Sequence, residues 1–409
     1  MSRYKPYPAY KDSGVEWIGK VPEHWDVKAF KRLASIRNGQ DYKDVADPNG
    51  AYPVIGSGGE FARASSFMFN GESVLLGRKG TIDKPLYING PFWAVDTMFY
   101  TTIADDASPR FVYYSALNIP FGLYSTNTAL PSMTGEDISS HLIPAPDLAE
   151  QEAIAAFLDR ETARIDALIA KKTEFIELLA RKRQALITHA VTKGLDPNVK
   201  MKDSGVEWIG EVPEHWDISP FFTVAKEISR SNKGMIESKV LSLSFGRIIQ
   251  KRESENLGLV PESYETYQIV EPGEIVFRFT DLQNDKNSLR SAQVKERGII
   301  TSAYLAIKPF NVNETYLAWL MRAYDHCKVF YTLGGGLRQS LKYSDVKRLP
   351  VVIPPLVEQL RSVDFIDHET ARIDLLIEKV QLSIDLLKKR RSALITAAVT
   401  GQIDLREST

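Results

Sequence analysis

A chain that carries the same six residues twice, Glu161-Thr162-Ala163-Arg164-Ile165-Asp166 and Glu369-Thr370-Ala371-Arg372-Ile373-Asp374, is constrained to build one kind of unit two times. The hexapeptides sit in longer copies. At a constant offset of 208, residues 150–196 and 358–404 agree at 25 of 47 positions. A second repeat precedes each one: residues 11–27 and 202–218 agree at 15 of 17 positions at an offset of 191. The material between short motif and long segment is therefore 17 residues longer in the second half. Each half reads as a Trp-containing motif, a variable globular stretch and a long segment with helical patterning.

The long segments have legible ends. Asp147 followed by Glu150 suits a helix start, as does the rigid Pro354-Pro355 pair. Gly194 and Gly401 stand where C-terminal caps belong. In the second segment Ile366, Ile373, Val380, Leu387 and Leu394 recur every seven residues, and in the first Leu158, Ile165, Lys172, Leu179 and Leu186 do. Leu168, Ile169, Phe175 and Ile176, with Leu376, Ile377 and Ile384, are expected to widen that seam. A sustained heptad seam is a coiled-coil pattern, and about 40 residues make a rod of roughly 60 Å. Pairing the two helices with each other buries both seams, and an antiparallel pair places one domain near each end.

The variable stretches, about 28–149 and 219–357, contain short apolar runs punctuated by glycine, such as Ser73-Val74-Leu75-Leu76 before Gly77-Arg78-Lys79-Gly80. That texture predicts strands joined by tight loops, with helices near Pro109–Leu117 and Thr315–Tyr324. The two stretches share little sequence but keep landmarks in order. Gly71-Glu72-Ser73-Val74-Leu75 resembles Gly273-Glu274-Ile275-Val276-Phe277, and Ser132 and Asp137 meet Ser340 and Asp345 at the helical offset of 208. One fold used twice is the expectation, in an α+β chain with boundaries at 1–149, 150–196, 197–357 and 358–409.

Enzymatic signatures are missing. The sequence has no GxxxxGK[ST] phosphate loop and no HExxH, and its six histidines lack ligand spacing. A single cysteine, Cys327, excludes an internal disulfide framework and a cysteine-rich zinc site. No run approaches the roughly 18 apolar residues of a membrane span, so the expectation is a cytoplasmic protein with no metal site and no catalytic residues of its own. Trp17, Trp25, Trp208 and Trp216 read as packing anchors, and His24 and His215 as partners in local hydrogen bonds.

A net charge of −1 hides local polarity. Residues 28–84 carry nine Lys/Arg against six Asp/Glu, whereas 85–149 carry one against six; residues 219–357 carry 19 against 14. Basic residues on loops beside Ser, Thr and Gln suit phosphate contact and base reading. The candidates for DNA contact are Ser57, Arg78, Lys79 and Thr81 in the first stretch, and Arg278, Thr280, Arg290, Arg338 and Gln339 in the second.

The doubled motif Lys11–Trp25 and Lys202–Trp216, the helix starts Pro144–Gln151 and Ile353–Gln359, and the Ser73–Phe99 stretch together resemble the DNA-specificity subunit of type I restriction–modification systems. The first helix start departs from that pattern, with Asp147 in place of a second proline. The resemblance implies two target-recognition domains separated by an antiparallel coiled coil, each domain reading one half of a bipartite gapped site in double-stranded DNA. It also implies a non-catalytic chain that binds no cofactor and assembles with two modification subunits and with restriction subunits. S-adenosylmethionine, ATP and magnesium would belong to those partners. The competing reading is a coiled-coil scaffold that organises proteins without reading DNA.

Overall fold

The computed structural model describes residues 5–125, 131–251, 263–282, 285, 288–333 and 340–406. Two long helices dominate it, Leu148–Thr192 and Leu356–Val399, of 45 and 44 residues. The chain divides into two units: residues 1–173 with 381–409, and residues 174–380. Each unit thus holds one variable domain, the first part of one long helix and the last part of the other.

Pairing inside each unit is antiparallel. In the second unit Arg183 meets Asp374 at 3.3 Å, while Ser362 Oγ donates to the Ala190 carbonyl, so the second helix advances as the first recedes. In the first unit Arg391 meets Asp166 at 3.0 Å. Arg391 and Asp374 are the counterparts of Arg183 and Asp166 at offset 208, so one ion pair is built twice. Of the heptad positions, Leu158, Ile165, Leu179, Ile366, Ile373 and Leu394 are buried, and Leu186, Val380 and Leu387 half-buried. Ile384 is buried and Ile169, Ile176 and Ile377 are half-buried, as expected, whereas Leu168, Phe175 and Leu376 correct the expectation of a wider seam, because they are exposed. Two helices bury only the narrow a/d column, and a further column has nothing to pack on.

The helix ends use the expected chemistry. Asp147 Oδ1 accepts the Glu150 N–H at 2.8 Å. Gly194 and Gly401 lie just beyond the helices with φ of 76° and 71°, the left-handed cap that glycine adopts without strain.

The repeated motifs form matching hairpins. Tyr10–Asp12 pairs with Lys20–Pro22, and Met201–Asp203 with Glu211–Pro213, in the same register. Each is followed by a strand, Asp26–Ala29 or Asp217–Pro220, that pairs with the strand leading into the long helix, Leu142–Ala145 or Pro350–Ile353.

The variable domains share the order of four strands. In the first, a six-stranded sheet runs Ala34–Asn38, Met98–Ile103, Phe69–Gly77, Leu86–Ala94, Tyr52–Gly56, Gly59–Ala64. In the second, Ala225–Ile228, Leu305–Pro309, Ile275–Phe277 and Ser291–Gln293 reproduce the first four places. The hairpin Leu241–Ser244 with Arg247–Gln250 forms a separate two-stranded sheet beside Ser291–Gln293. A parallel pair leads into each hairpin, Val54 with Trp93 in the first domain and, in the second, Val240 with Ile299 of strand Gly298–Ile300, which pairs with Gln268–Val270. The landmark alignment at Gly71 needs a one-residue correction. Val74 and Leu76 face the same core as the long helices, and so do Ile275 and Phe277, not Val276. A slip of one residue reverses a strand's faces, so Val74 corresponds to Ile275. Most of the extra length falls in the 24 residues between Gln250 and Ile275, against nine between Ala64 and Val74.

Candidate nucleic-acid interface

The frame around the variable domains rests on the dipeptide Glu-Gln at each helix start, a feature sequence reading passed over. Glu150 is buried and accepts from Tyr7 Oη at 2.8 Å and Trp25 Nε1 at 3.0 Å, with His24 Nε2 at 2.9 Å. Glu358 binds His215 Nε2 at 2.7 Å and accepts from Trp216 Nε1 at 2.9 Å. The adjacent glutamines reach the other way. Gln151 accepts from the Ser108 N–H at 3.0 Å and Gln359 from the Asn313 N–H at 2.8 Å, at the caps of helices Pro109–Ala116 and Glu314–His326. Glu thereby fastens the motif and Gln fastens the domain to one helical turn. Trp25 and Trp216 are fully buried, whereas Trp17 is 42% exposed and stacks on His141 at 4.6 Å.

Each long helix also ends on a motif. A Cβ at Gly194 would lie 3.1 Å from the Trp216 ring, and one at Gly401 would lie 2.3 Å from Pro22 Cδ. In the second unit the chain runs directly from Gly194 to the hairpin at Met201. In the first unit the junction is made by the two ends of the described chain. Asp404 N–H donates to the Lys5 carbonyl at 2.8 Å, Tyr10 Oη donates to Gly401 O at 3.1 Å, and Arg406 lies over the Tyr7 ring. Ion pairing with Asp404 holds the Arg406 guanidinium above its ordinary pKa.

On this frame the first domain brings three of its four candidate residues together. Arg78, Lys79 and Thr81 share the turn that leaves strand Phe69–Gly77, Lys79 and Thr81 exposed and Arg78 half-buried over the Phe99 ring. The turn is tied down on both sides: the Gly80 N–H donates to Pro131 O at 2.9 Å, and the Met133 N–H to Arg78 O at 3.1 Å. Ser57 lies apart, in the two-residue loop between Tyr52–Gly56 and Gly59–Ala64. The landmark Asp137 is explained by its cap: it and Thr134 bond reciprocally at the start of helix Gly135–Ser140, as Asp345 does with Lys342 N–H in the second domain.

In the second domain the corresponding tie joins the Leu341 N–H to Phe279 O at 3.1 Å, so Phe279, a buried ring, stands where Arg78 stands. Arg278 and Thr280 are half-buried. Arg290 is the clear correction, since it is fully enclosed and has no surface to offer DNA. Its guanidinium donates to the carbonyls of Thr280 at 3.0 Å, Asp281 at 3.3 Å and Asp285, and to Tyr331 Oη at 3.2 Å. Its N–H donates to Asp325, whose carboxyl burial pushes above the ordinary range. A buried cation that collects carbonyls organises a loop. Composition gave no sign of this, because an arginine beside polar residues looks alike inside and outside. Arg338 and Gln339 lie outside the described residues.

Among the described residues no cluster of His, Cys, Asp and Glu could hold a metal ion, and no helix is long and apolar enough to cross a membrane. Buried His141 and half-buried His326 are each depressed to about 4, chiefly by desolvation.

Comparison with known proteins points one way. Residues 22–178 match the family model described as the type I restriction modification DNA specificity domain. The type I restriction enzyme MjaIX specificity subunit of Methanocaldococcus jannaschii is 22% identical over 95% of this chain and 96% of its own length. The EcoBI specificity subunit of Escherichia coli is 29% identical over 44% of this chain and 41% of its own. A solved chain from work on complex assembly and conformational transition of the type I R-M system superposes with a TM-score of 0.67, at 14% identity over 94% of this chain and 99% of that one.

Proposed function

We propose a mechanism of DNA reading from the premise that this chain belongs to the type I restriction–modification specificity-subunit family. Each variable domain reads one half of a bipartite, gapped DNA site, and the helix pair sets the gap. The chain supplies recognition and no reaction of its own.

The observation that carries this reading is the pairing of a duplicated frame with diverged domains. The motif hairpins, the Glu-Gln joints, the Arg–Asp pair and the capped helices are built twice, with Tyr7 an added partner of Glu150 in the first copy. The turns that leave the central strands are not: Arg78-Lys79-Gly80-Thr81 in one domain faces Phe279-Thr280-Asp281-Leu282 in the other. Two copies of a frame suit two copies of a partner, and two different surfaces suit two different half-sites. In this reading Lys79 and Thr81, both exposed, meet the DNA backbone and a base edge.

The partners follow from the same division: double-stranded DNA for the domains, two modification subunits for the repeated frame, and restriction subunits joined through them. Leu382 and Leu386, 60% and 58% exposed in the first unit, support a helix surface that a modification subunit covers. S-adenosylmethionine, ATP and magnesium serve those partners, in a cytoplasmic complex. The test is to express the chain with its cognate modification subunit and sequence the methylated positions. A two-part consensus with a fixed gap is expected. No methylation at all returns the chain to the scaffold reading.

A further inference from the structure

One exposed side chain in the second domain has no structural reason to be where it is. Hairpin Leu241–Ser244 and Arg247–Gln250 closes with Ser244 opposite Arg247, leaving a two-residue turn of Phe245 and Gly246. Both residues have positive φ, 45° and 72°. Turns of this kind favour Asn, Asp or Gly at the first position, and a bulky residue there is an outlier. The Phe245 ring is 83% exposed. Neither local conformation nor burial explains a phenylalanine at this tip.

The tip is nonetheless built from below. Arg322, 8% exposed on helix Glu314–His326, donates through one guanidinium nitrogen to the carbonyls of Gly246 and, at 2.6 Å, Ser291. A Cβ at position 246 would come within 2.5 Å of that guanidinium, so only glycine lets the turn sit on it. Desolvation brings Arg322 down to about 10, as expected of a cation enclosed for its hydrogen bonds. One turn further along the same helix, Asp325 accepts the Arg290 backbone N–H, and the Arg290 guanidinium gathers the carbonyls of Thr280, Asp281 and Asp285. Hairpin tip and turn therefore share one buried ionic footing. Arg247, two residues on, is 74% exposed and pairs with Asp374 of the long helix at 3.5 Å. The equivalent loop of the first domain is Ser57-Gly58, which carries no ring.

We propose that Phe245 is a specificity-determining residue of the second recognition domain, its ring making an apolar contact with the bases of that domain's half-site while Arg322 holds the tip in place. Phenylalanine meets a thymine methyl in the major groove or wedges between base steps in the minor groove. Strain and exposure at a rigidly supported tip are tolerated where function uses them. Phe245 is the reader and Arg322 a positioning residue. The inference rests on the DNA-reading function proposed above.

The test uses the chain assembled with its modification subunit and the target mapped for the unaltered complex. Phe245→Ala is expected to weaken binding to that target on the order of tenfold or more. Binding to unrelated duplex and the salt slope stay unchanged, because the ring touches no phosphate. Mapped methylation then shows relaxed base preference in one half-site only, and Phe245→Leu recovers part of the loss. A Phe245→Ala complex with wild-type affinity and an unrelaxed consensus overturns the proposal. An unaltered complex that yields no two-part target overturns the function on which it rests.

Discussion

The two variable domains differ most where their frames agree best. Asp159 and Asp367 are counterparts on the two long helices, yet Asp159 takes Arg110 and Tyr114 while Asp367 takes Trp319 Nε1 at 3.0 Å. The first domain rests on a continuous six-stranded sheet with apolar filling. The second has shorter strands and places Arg290, Arg322 and Asp325 inside, so charge does part of the work of sheet pairing. A duplicated frame thus tolerates quite different domain interiors, provided that the Glu-Gln joint, the tryptophan and the helix cap are kept.

The largest expected effect tests the sameness of the frame. Trp25→Ala and Trp216→Ala should each cost about 3–5 kcal/mol, the range for emptying a large core site, and by similar amounts in urea denaturation. A loss confined to one of them would mean that the motifs are not equivalent supports. Next comes the difference between interiors. Arg290→Ala strips the carbonyls of Thr280, Asp281 and Asp285 of their side-chain donor and should destabilise the second unit by about 2–4 kcal/mol. Arg78→Ala in the first should stay within about 0.5 kcal/mol. Hydrogen exchange resolves the two units separately, and an equal response would refute the contrast.

A finer comparison concerns the two glutamates. Glu150 has Tyr7 as a third partner and is 7% exposed, whereas Glu358 lacks that partner and is 35% exposed. Glu150→Ala should therefore cost about 2 kcal/mol and Glu358→Ala about 1 kcal/mol, read as shifts in denaturation midpoint. The effect with pH has the same sign in both units. His141 and His326, one in each unit, have folded pKa values near 4, below the ordinary 6.5. Between those values the unfolded chain binds more protons, so their contribution is complete above pH 6.5 and lost as pH falls toward 4, at about 1 kcal/mol per pH unit for each. His141→Gln should flatten that slope in the first unit and leave the second unchanged.

How much of this was legible in the sequence depended on whether the signal was periodic or spatial. The offsets 191 and 208, the heptads and the cap residues are patterns in one dimension, and they carry the two-unit plan and the helix pair. The Glu-Gln joint was present in the repeat, but its meaning needs residues more than 120 positions away, Glu150 with Trp25 and Glu358 with Trp216. Site residues were the least legible. Arg78, Lys79 and Thr81 belong to one exposed turn, whereas Arg290 has the same composition around it and is sealed inside. Phe245 escaped notice because a lone aromatic between Ser244 and Gly246 reads as strand, and only its φ and exposure reveal a tip.

The central claim is that one frame carries two independent readers. Its most direct measurement is methylation mapping of a complex in which residues 219–349 replace residues 28–141, so that both frames carry the second domain. The account predicts a target made of two copies of one half-site at an unchanged gap. Recovery of the original asymmetric consensus, or of a target read by one domain alone, would contradict it.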